Sequence, residues 1–297
     1  MSLNISAVER DTGLSKDTLR MWERRYGFPA PERDANGERV YPPEQLEKLQ
    51  LIKRLMDRGH RPGNIILRSL SELALLDGAS AQRETPSPEI QALLARLRDH
   101  EIAQLRAQLT RLLISQGLRA FVIDTIAQLN RAVGEAWMRG ELAVFEEHLY
   151  TGLAHGVLRS AITALPQSGL APRVLLTSLP NEPHGLGLLM VEALLTLEGA
   201  TCIALGTETP MPEIVRAAAA HRVHIVALSF SAGFNERAAA AGLQELRALL
   251  DPRVQIWAGG SGLARWRRQI LGVQIICDLT KLAAELNDWR PRHAEQC

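Results

Sequence analysis

The residues best equipped for chemistry lie in the stretch Leu179-Pro180-Asn181-Glu182-Pro183-His184-Gly185-Leu186-Gly187, between an apolar run and a helical one. An imidazole on such a loop offers a nitrogen to a metal, and a carboxylate two residues away can orient or polarise the ring. Gly185 and Gly187 permit close approach of a ligand to the helix start. The stretch lacks the Gly-x-Gly-x-x-Gly of dinucleotide sites and the Lys-Ser/Thr of a phosphate loop. On residue chemistry alone, a single loop His is more often a surface residue than a ligand. A second cluster is Trp137 with Glu147-His148 ten residues on, flanking a helix stop at Gly140. The three can converge on one surface, although a core Trp and a solvated Glu-His pair satisfy the same spacing. A third is cationic: Lys16, Arg20, Arg24 and Arg25 lie on one side of KDTLRMWERRYG, and Leu19, Trp22 and Tyr26 on the other. Cations neutralise phosphates and Arg takes a guanine edge bidentately.

Three segments must position these groups, giving a multidomain fold, mainly α plus α/β. The first, residues 1–76, is rich in Arg and Glu with short helical patterns, and 77–88 (DGASAQRETPSP) reads as a linker without apolar periodicity. Residues 89–166 have apolar positions recurring at three and four, which predicts a central bundle of about four helices. In 167–297 the period changes. RVLLTSL, TCIALG, HIVALSF, VQIWAGG and VQIICDL are short apolar runs separated by helical stretches. Such alternation predicts a flavodoxin-like (Rossmann-like) parallel sheet, whose ligands bind at the carboxyl ends of the strands. His184 follows the first run, Ser229 and Ser231 end the third, and Gly259-Gly260 end the fourth.

Ile5 to Thr12 predict a short helix, Gly13-Leu14 a turn, and Ser15 the cap of the cationic helix. A turn followed by an amphipathic helix with a cationic outer face suits a helix that reads DNA. Asn36-Gly37 predicts a hairpin, so Glu32 to Tyr41 form a small β-ribbon whose Arg33, Arg39 and Tyr41 are placed to grip phosphates. A solvated charged face on a small helical domain is the plainer account of the same arginines. Across all 297 residues the net charge is only +1, so a nucleic-acid surface has to be local. The polar start predicts no signal peptide, no apolar run is expected to reach membrane length, and three unpatterned cysteines suit a reducing cytoplasm.

The string TGLSKDTLRMWERRYGFPAPERDANGERVYPPEQLEKLQLIKRLMDRGHRPG resembles the MerR family of regulators. This implies a winged helix-turn-helix, double-stranded operator DNA as partner, and a self-associating chain. Glu182-x-His184-x-x-Gly187, with Ser229-Phe230-Ser231 and Gly259-Gly260 in order behind it, resembles the motif of cobalamin-binding domains. By that resemblance His184 is the lower axial ligand to cobalt. Glu182 stands behind it, and Gly187, Ser229, Ser231, Gly259 and Gly260 line the groove for the nucleotide tail. The spacing of Trp137, Glu147 and His148 resembles the cap over the upper face of adenosylcobalamin in CarH/LitR-type photoreceptor regulators. Met138 follows Trp137 where some members carry His, which leaves open an apolar Met or a movement of His148 to the cobalt.

The combined expectation is a light-responsive repressor with adenosylcobalamin as chromophore, self-associating as a dimer or tetramer and not an enzyme. A regulator that answers cofactor availability, another cobalamin form or a protein partner is the alternative. A methyltransferase or mutase component is a third class, and the chain has no room for a substrate barrel of roughly 250 residues.

Overall fold

A computed structural model describes residues 3–34, 37–57, 60–79, 86–166, 169–263 and 270–293. Within its helices the side chains at 10, 11, 54, 57, 74, 75, 77–79 and 138 lie outside that description. The chain divides into two compact units, 1–88 with 132–147, and 89–131 with 148–297.

In the first unit, β1 (Leu3–Asn4), α1 (Ile5–Thr12) and α2 (Lys16–Tyr26) precede the ribbon β2 (Glu32–Arg33) and β3 (Arg39–Tyr41). The helices α3 (Pro43–Asp57), α4 (Pro62–Ile65) and α5 (Leu70–Ala79) follow. Asn4 caps α1 by accepting from Ala7 N, Ser15 caps α2 by accepting from Thr18 N, and Gly13 and Gly27 end the two helices at φ +68° and +69°. Both terminators use the left-handed backbone that glycine reaches without a Cβ clash. The ribbon forms as expected, with Arg33 opposite Arg39, and Asp34 N donates to Glu38 O (3.0 Å) across its turn. Asn36, the residue that signalled that turn, lies outside the described residues. The strand β1 pairs with β3, making a three-stranded antiparallel sheet in the order β1-β3-β2. Val8, Leu19, Trp22, Tyr41, Ile52 and Leu73 belong to one core. The helix α5 continues three residues into the segment expected to be linker, because Leu73 and Leu76 anchor it to that core.

The helical segment contains four α-helices, α6 (Pro88–Arg98), α7 (Ile102–Ala120), α8 (Ala127–Met138) and α9 (Val144–Thr163). Their residues divide between the two units. Gly117 is non-helical at φ 76°, ψ 159°, and a π-helical turn at Phe121–Ile126 joins α7 to α8. The run Ile102–Trp137 is long and apolar enough to cross a membrane by length and composition, contrary to expectation. Here it is a kinked bundle helix, and α7 and the π-turn pack on a helix of the sheet domain.

The second unit holds the sheet: β4 (Leu170–Thr177), β5 (Ala200–Gly206), β6 (Ile225–Ser229), β7 (Gln255–Gly259) and β8 (Val273–Ile275). The helices between and after them are α10 (Leu186–Leu197), α11 (Met211–Ala220), α12 (Glu236–Leu249) and α13 (Leu282–Arg292). All strands are parallel in the order β5-β4-β6-β7-β8. This is the flavodoxin-like order expected, and its direction reverses between β4 and β6, the place where folds of this order hold their ligands. The helix α10 is buried along most of its length. Arg159 of α9 donates to both oxygens of Glu192 on α10 (2.5 and 2.9 Å), and Arg119 of α7 pairs with Glu198 just beyond it.

Candidate ligand site and DNA-reading face

The apolar strand β4 ends in two buried hydroxyl residues, Thr177 and Ser178, and the loop beyond it turns at Asn181 (φ +67°). That turn sends the Glu182 side chain inward and His184 outward. Glu182 is fully buried, while the His184 side chain is 65% exposed. One carboxylate oxygen of Glu182 accepts from His184 N (3.1 Å) and lies 2.7 Å from His184 Nδ1, and the other accepts from Ser231 N (2.7 Å). Burial alone would push the Glu182 carboxyl up. The hydrogen bonds from His184 and Ser231 outweigh it and hold the group below the usual carboxylate range, ionised at neutral pH. A carboxylate only accepts, so Nδ1 carries a ring proton, and Nε2 is the nitrogen that faces away from Glu182. An imidazole whose Nδ1 is backed by a carboxylate in this way is the arrangement found behind metal-bound histidines.

Glycines bring the neighbouring strand ends within backbone contact. A Cβ at Gly187 would stand 2.5 Å from Ser229 Oγ, so the first turn of α10 lies directly on the end of β6. At Gly259 it would meet Ile276 O at 2.2 Å, and at Gly260 (φ +101°) Phe230 O at 2.3 Å. Gly262, which the motif reading did not include, is as tight against Ser231 O at 2.3 Å. Thus Glu182, His184, Gly187, Ser229, Ser231, Gly259 and Gly260 gather around the β4, β6 and β7 ends. Ser178 was also missed; its only sequence signal was a hydroxyl pair closing an apolar strand.

Trp137 lies on the last turn of α8, which stops at Gly140 (φ +72°), and Glu147 and His148 lie early in α9. Glu146 fixes the start of α9 by reaching back to accept from Ala143 N (2.6 Å), half of a capping box. Trp137 and Glu147 belong to the first unit and His148 to the second. The Met138 side chain lies outside the described residues. Cys202 is a poor nucleophile, its thiol pushed up to about 12 by burial.

On the DNA-reading side, α2 buries Leu19 and Trp22 and exposes Arg20, Arg24 and Arg25. Lys16 is half-buried and pairs with Glu9 (3.6 Å). Arg33 is exposed and donates to Gly37 O (2.7 Å) inside the ribbon turn. Arg39 donates from Nε to Glu23 (3.1 Å), clamping the ribbon to α2. Tyr41 corrects the sequence reading. It is fully buried, its hydroxyl has no hydrogen-bond partner among the described residues, and burial pushes its phenol up. The ring fills the core between ribbon and helices, where a phosphate cannot reach it.

Known proteins agree with both halves. The model of the MerR HTH family regulatory proteins matches residues 3–67, and that of the B12 binding domain matches 172–281. The chain is 33% identical over 239 residues to the HTH-type transcriptional repressor CarA of Myxococcus xanthus, covering 77% of each chain. It is 29% identical over 262 residues to the HTH-type transcriptional repressor CarH of the same organism, covering 84% of this chain and 85% of that one. Among solved structures, the monomethylamine corrinoid protein of Methanosarcina barkeri superposes with a TM-score of 0.56 at 15% identity, over 69% of this chain and 100% of that one. At that identity the likeness is one of fold. The chain therefore belongs to the MerR-type HTH transcriptional regulators that carry a B12-binding domain, together with CarA and CarH.

Proposed function

We propose that the chain is a repressor that holds adenosylcobalamin through His184 and releases operator DNA in light. The observation that carries the cofactor site is the buried, ionised Glu182, which commits Nδ1 of an exposed ring and leaves Nε2 as the nitrogen that faces away from it. The donor set fits a corrinoid better than a bare ion. Among the described residues no group of three metal-ligating side chains exists, and a cofactor that brings its own metal ligands would need only His184 from the protein. His184 would be that ligand and Glu182 its orienting partner, with Ser229, Ser231 and the glycines at the neighbouring strand ends as the place for the nucleotide tail.

Bound there, adenosylcobalamin supplies a cobalt–carbon bond that light can break. The reading of light rests on Trp137, Glu147 and His148, whose spacing matches an upper-face cap. The reading as a repressor rests on the two relatives of that name. A cofactor biases assembly only by its differential affinity for two states, so the cap must favour the adenosyl form for light to remove that bias. On DNA, two copies of the chain present α2 to two half-sites, with Arg20, Arg24 and Arg25 toward the duplex. Arg33, Arg39 and Lys16 support that contact from the ribbon and the helix start. No reaction is assigned to the chain, since His184 and Glu182 are committed to holding the cofactor.

The test is an absorption spectrum of the full chain with adenosylcobalamin in the dark, before and after green illumination, beside His184→Ala. A bound spectrum that depends on His184 and changes on illumination, with weaker binding to DNA selected from a random pool, is expected. A cofactor retained equally by His184→Ala overturns the ligand. Unchanged DNA binding and gel filtration in light and dark overturn the switch and leave a regulator that answers cofactor availability.

A further inference from the structure

The three hydrogen bonds on Glu182 fix its carboxylate, yet they do not explain why the loop beneath it keeps a costly shape. Asn181 and Glu208, one in the His184 loop and one in the loop after β5, are non-glycine residues in left-handed backbone, at φ +67° and +56°. Such residues persist where the surroundings over-determine them. One buried hydroxyl stands between the two. Ser178 Oγ donates to Glu182 O (2.5 Å) and accepts from Glu208 N (2.8 Å), using its single proton and a lone pair. Its own carbonyl accepts from Thr209 N (3.1 Å), and next to it Thr177 Oγ1 lies 2.7 Å from Thr209 Oγ1. Glu182 N closes the turn onto Leu179 O (3.1 Å).

We infer that Ser178 is a positioning residue for His184, tying the loop that carries the axial ligand to the β5–α11 loop so that the two hold one geometry. This rests on the cofactor reading above and adds a residue that touches neither His184 nor cofactor. With the hydroxyl removed, the buried carbonyl of Glu182 loses its partner, the N–H of the exposed Glu208 loses its tie to the His184 loop, and the two loops are no longer held to each other. Glu182 then shifts under the imidazole, and the Nδ1–H tautomer is no longer enforced.

The test compares the full-length chain with Ser178→Ala and Ser178→Thr, the last keeping the hydroxyl. Without cofactor, the ring-nitrogen chemical shifts of His184 report the tautomer. The parent and Ser178→Thr are expected to be dominated by Nδ1–H, and Ser178→Ala to show a mixture. With hydroxocobalamin as probe, Ser178→Ala is expected to lose about tenfold in affinity, the lower end of what outer partners of metal-bound histidines contribute, and Ser178→Thr to recover it. If Ser178→Ala does not fold by circular dichroism, Ser178→Cys, of similar size but a weak hydrogen-bonding group, takes its place. A retained tautomer with unchanged affinity in the variant overturns the inference. Failure of the parent itself to bind hydroxocobalamin overturns the cofactor reading instead, and the tautomer measurement still decides the role of Ser178.

Discussion

Replacing Glu182 by Gln keeps size and burial, removes the charge and one acceptor oxygen, and puts an NH2 donor in its place. The carboxylate accepts from His184 N and Nδ1 at one oxygen and from Ser231 N at the other. An amide has one oxygen, which satisfies the two His184 donors only by turning its NH2 toward Ser231 N. One charge-assisted hydrogen bond is then replaced by two donors facing each other in a buried place, at a cost of about 1.5–3 kcal/mol. The opposite flip keeps the Ser231 bond and sets the NH2 against both the His184 N–H and the imidazole, forcing the other tautomer. Either way, hydroxocobalamin affinity should fall about 10- to 100-fold in a spectral titration. The pH dependence gives a second, independent reading. The folded Glu182 carboxyl is held below its ordinary value, so its contribution to stability is complete above the unfolded value of about 4.3 and is lost as pH falls through the depressed folded one. Parent and Glu182→Gln should therefore differ fully in urea midpoint at pH 7 and 5, and converge only at more acid pH. Affinity within twofold of the parent, or a gap that is the same at every pH, would refute the role given to this carboxylate.

Other expectations follow from the ties and close approaches elsewhere. Arg159→Leu leaves the Glu192 carboxylate, 9% exposed, without its fork, and should cost about 1–3 kcal/mol in urea unfolding. That is less than a fully buried pair because Arg159 is 42% exposed, and Arg159→Leu with Glu192→Met should recover most of it. Gly260→Ala places a Cβ 2.3 Å from a backbone oxygen at φ +101° and should lose about 2–5 kcal/mol, read as a lowered Tm. Arg20→Ala should lower the slope of log affinity against log salt by about 1, the share of one released counterion. Arg39→Ala should lower it less, because Glu23 already neutralises much of that charge; equal slopes for the two variants would place Arg39 on a phosphate.

What was legible in the sequence was whatever depends on neighbours along the chain. The caps at Ser15 and Gly13, the ribbon around Gly37 and the five apolar runs are local devices, and each stands where residue type put it. The contact between His184 and Glu182 is local in the same way, since the two stand two residues apart. Tyr41 was misread for the converse reason. Alternation along β3 assigns it a face, but only the third strand and the helices beyond the ribbon decide that the face is core. The break in Ile102–Met138 was equally hidden, since Gly117 is an ordinary helix weakness until packing turns it into a kink beside a π-turn.

The groups that hold the site rather than form it were illegible because their partners are distant in sequence. Ser231 N reaches Glu182 across 49 residues, Glu208 N reaches Ser178 across 30, and Arg159 reaches Glu192 across 33. No period or motif window spans such separations, yet all three ties converge on one stretch of chain. The loop from Ser178 to Gly185 runs straight into α10, whose first turn rests on Ser229 through Gly187 and whose middle is forked by α9. A displacement of His184 therefore meets resistance from β6 and the β5–α11 loop at its own level, and reaches the bundle through a rigid buried helix. Contacts therefore run without a break from the His184 loop through α10 to α7 and α9, which would let α10 carry events at His184 to the bundle. If so, cobalamin binding should slow amide exchange in α9 of the parent chain. In the Arg159→Leu, Glu192→Met double variant it should slow exchange in the His184 loop alone. Equal protection of α9 in both proteins would show that the bundle senses the ligand by another route.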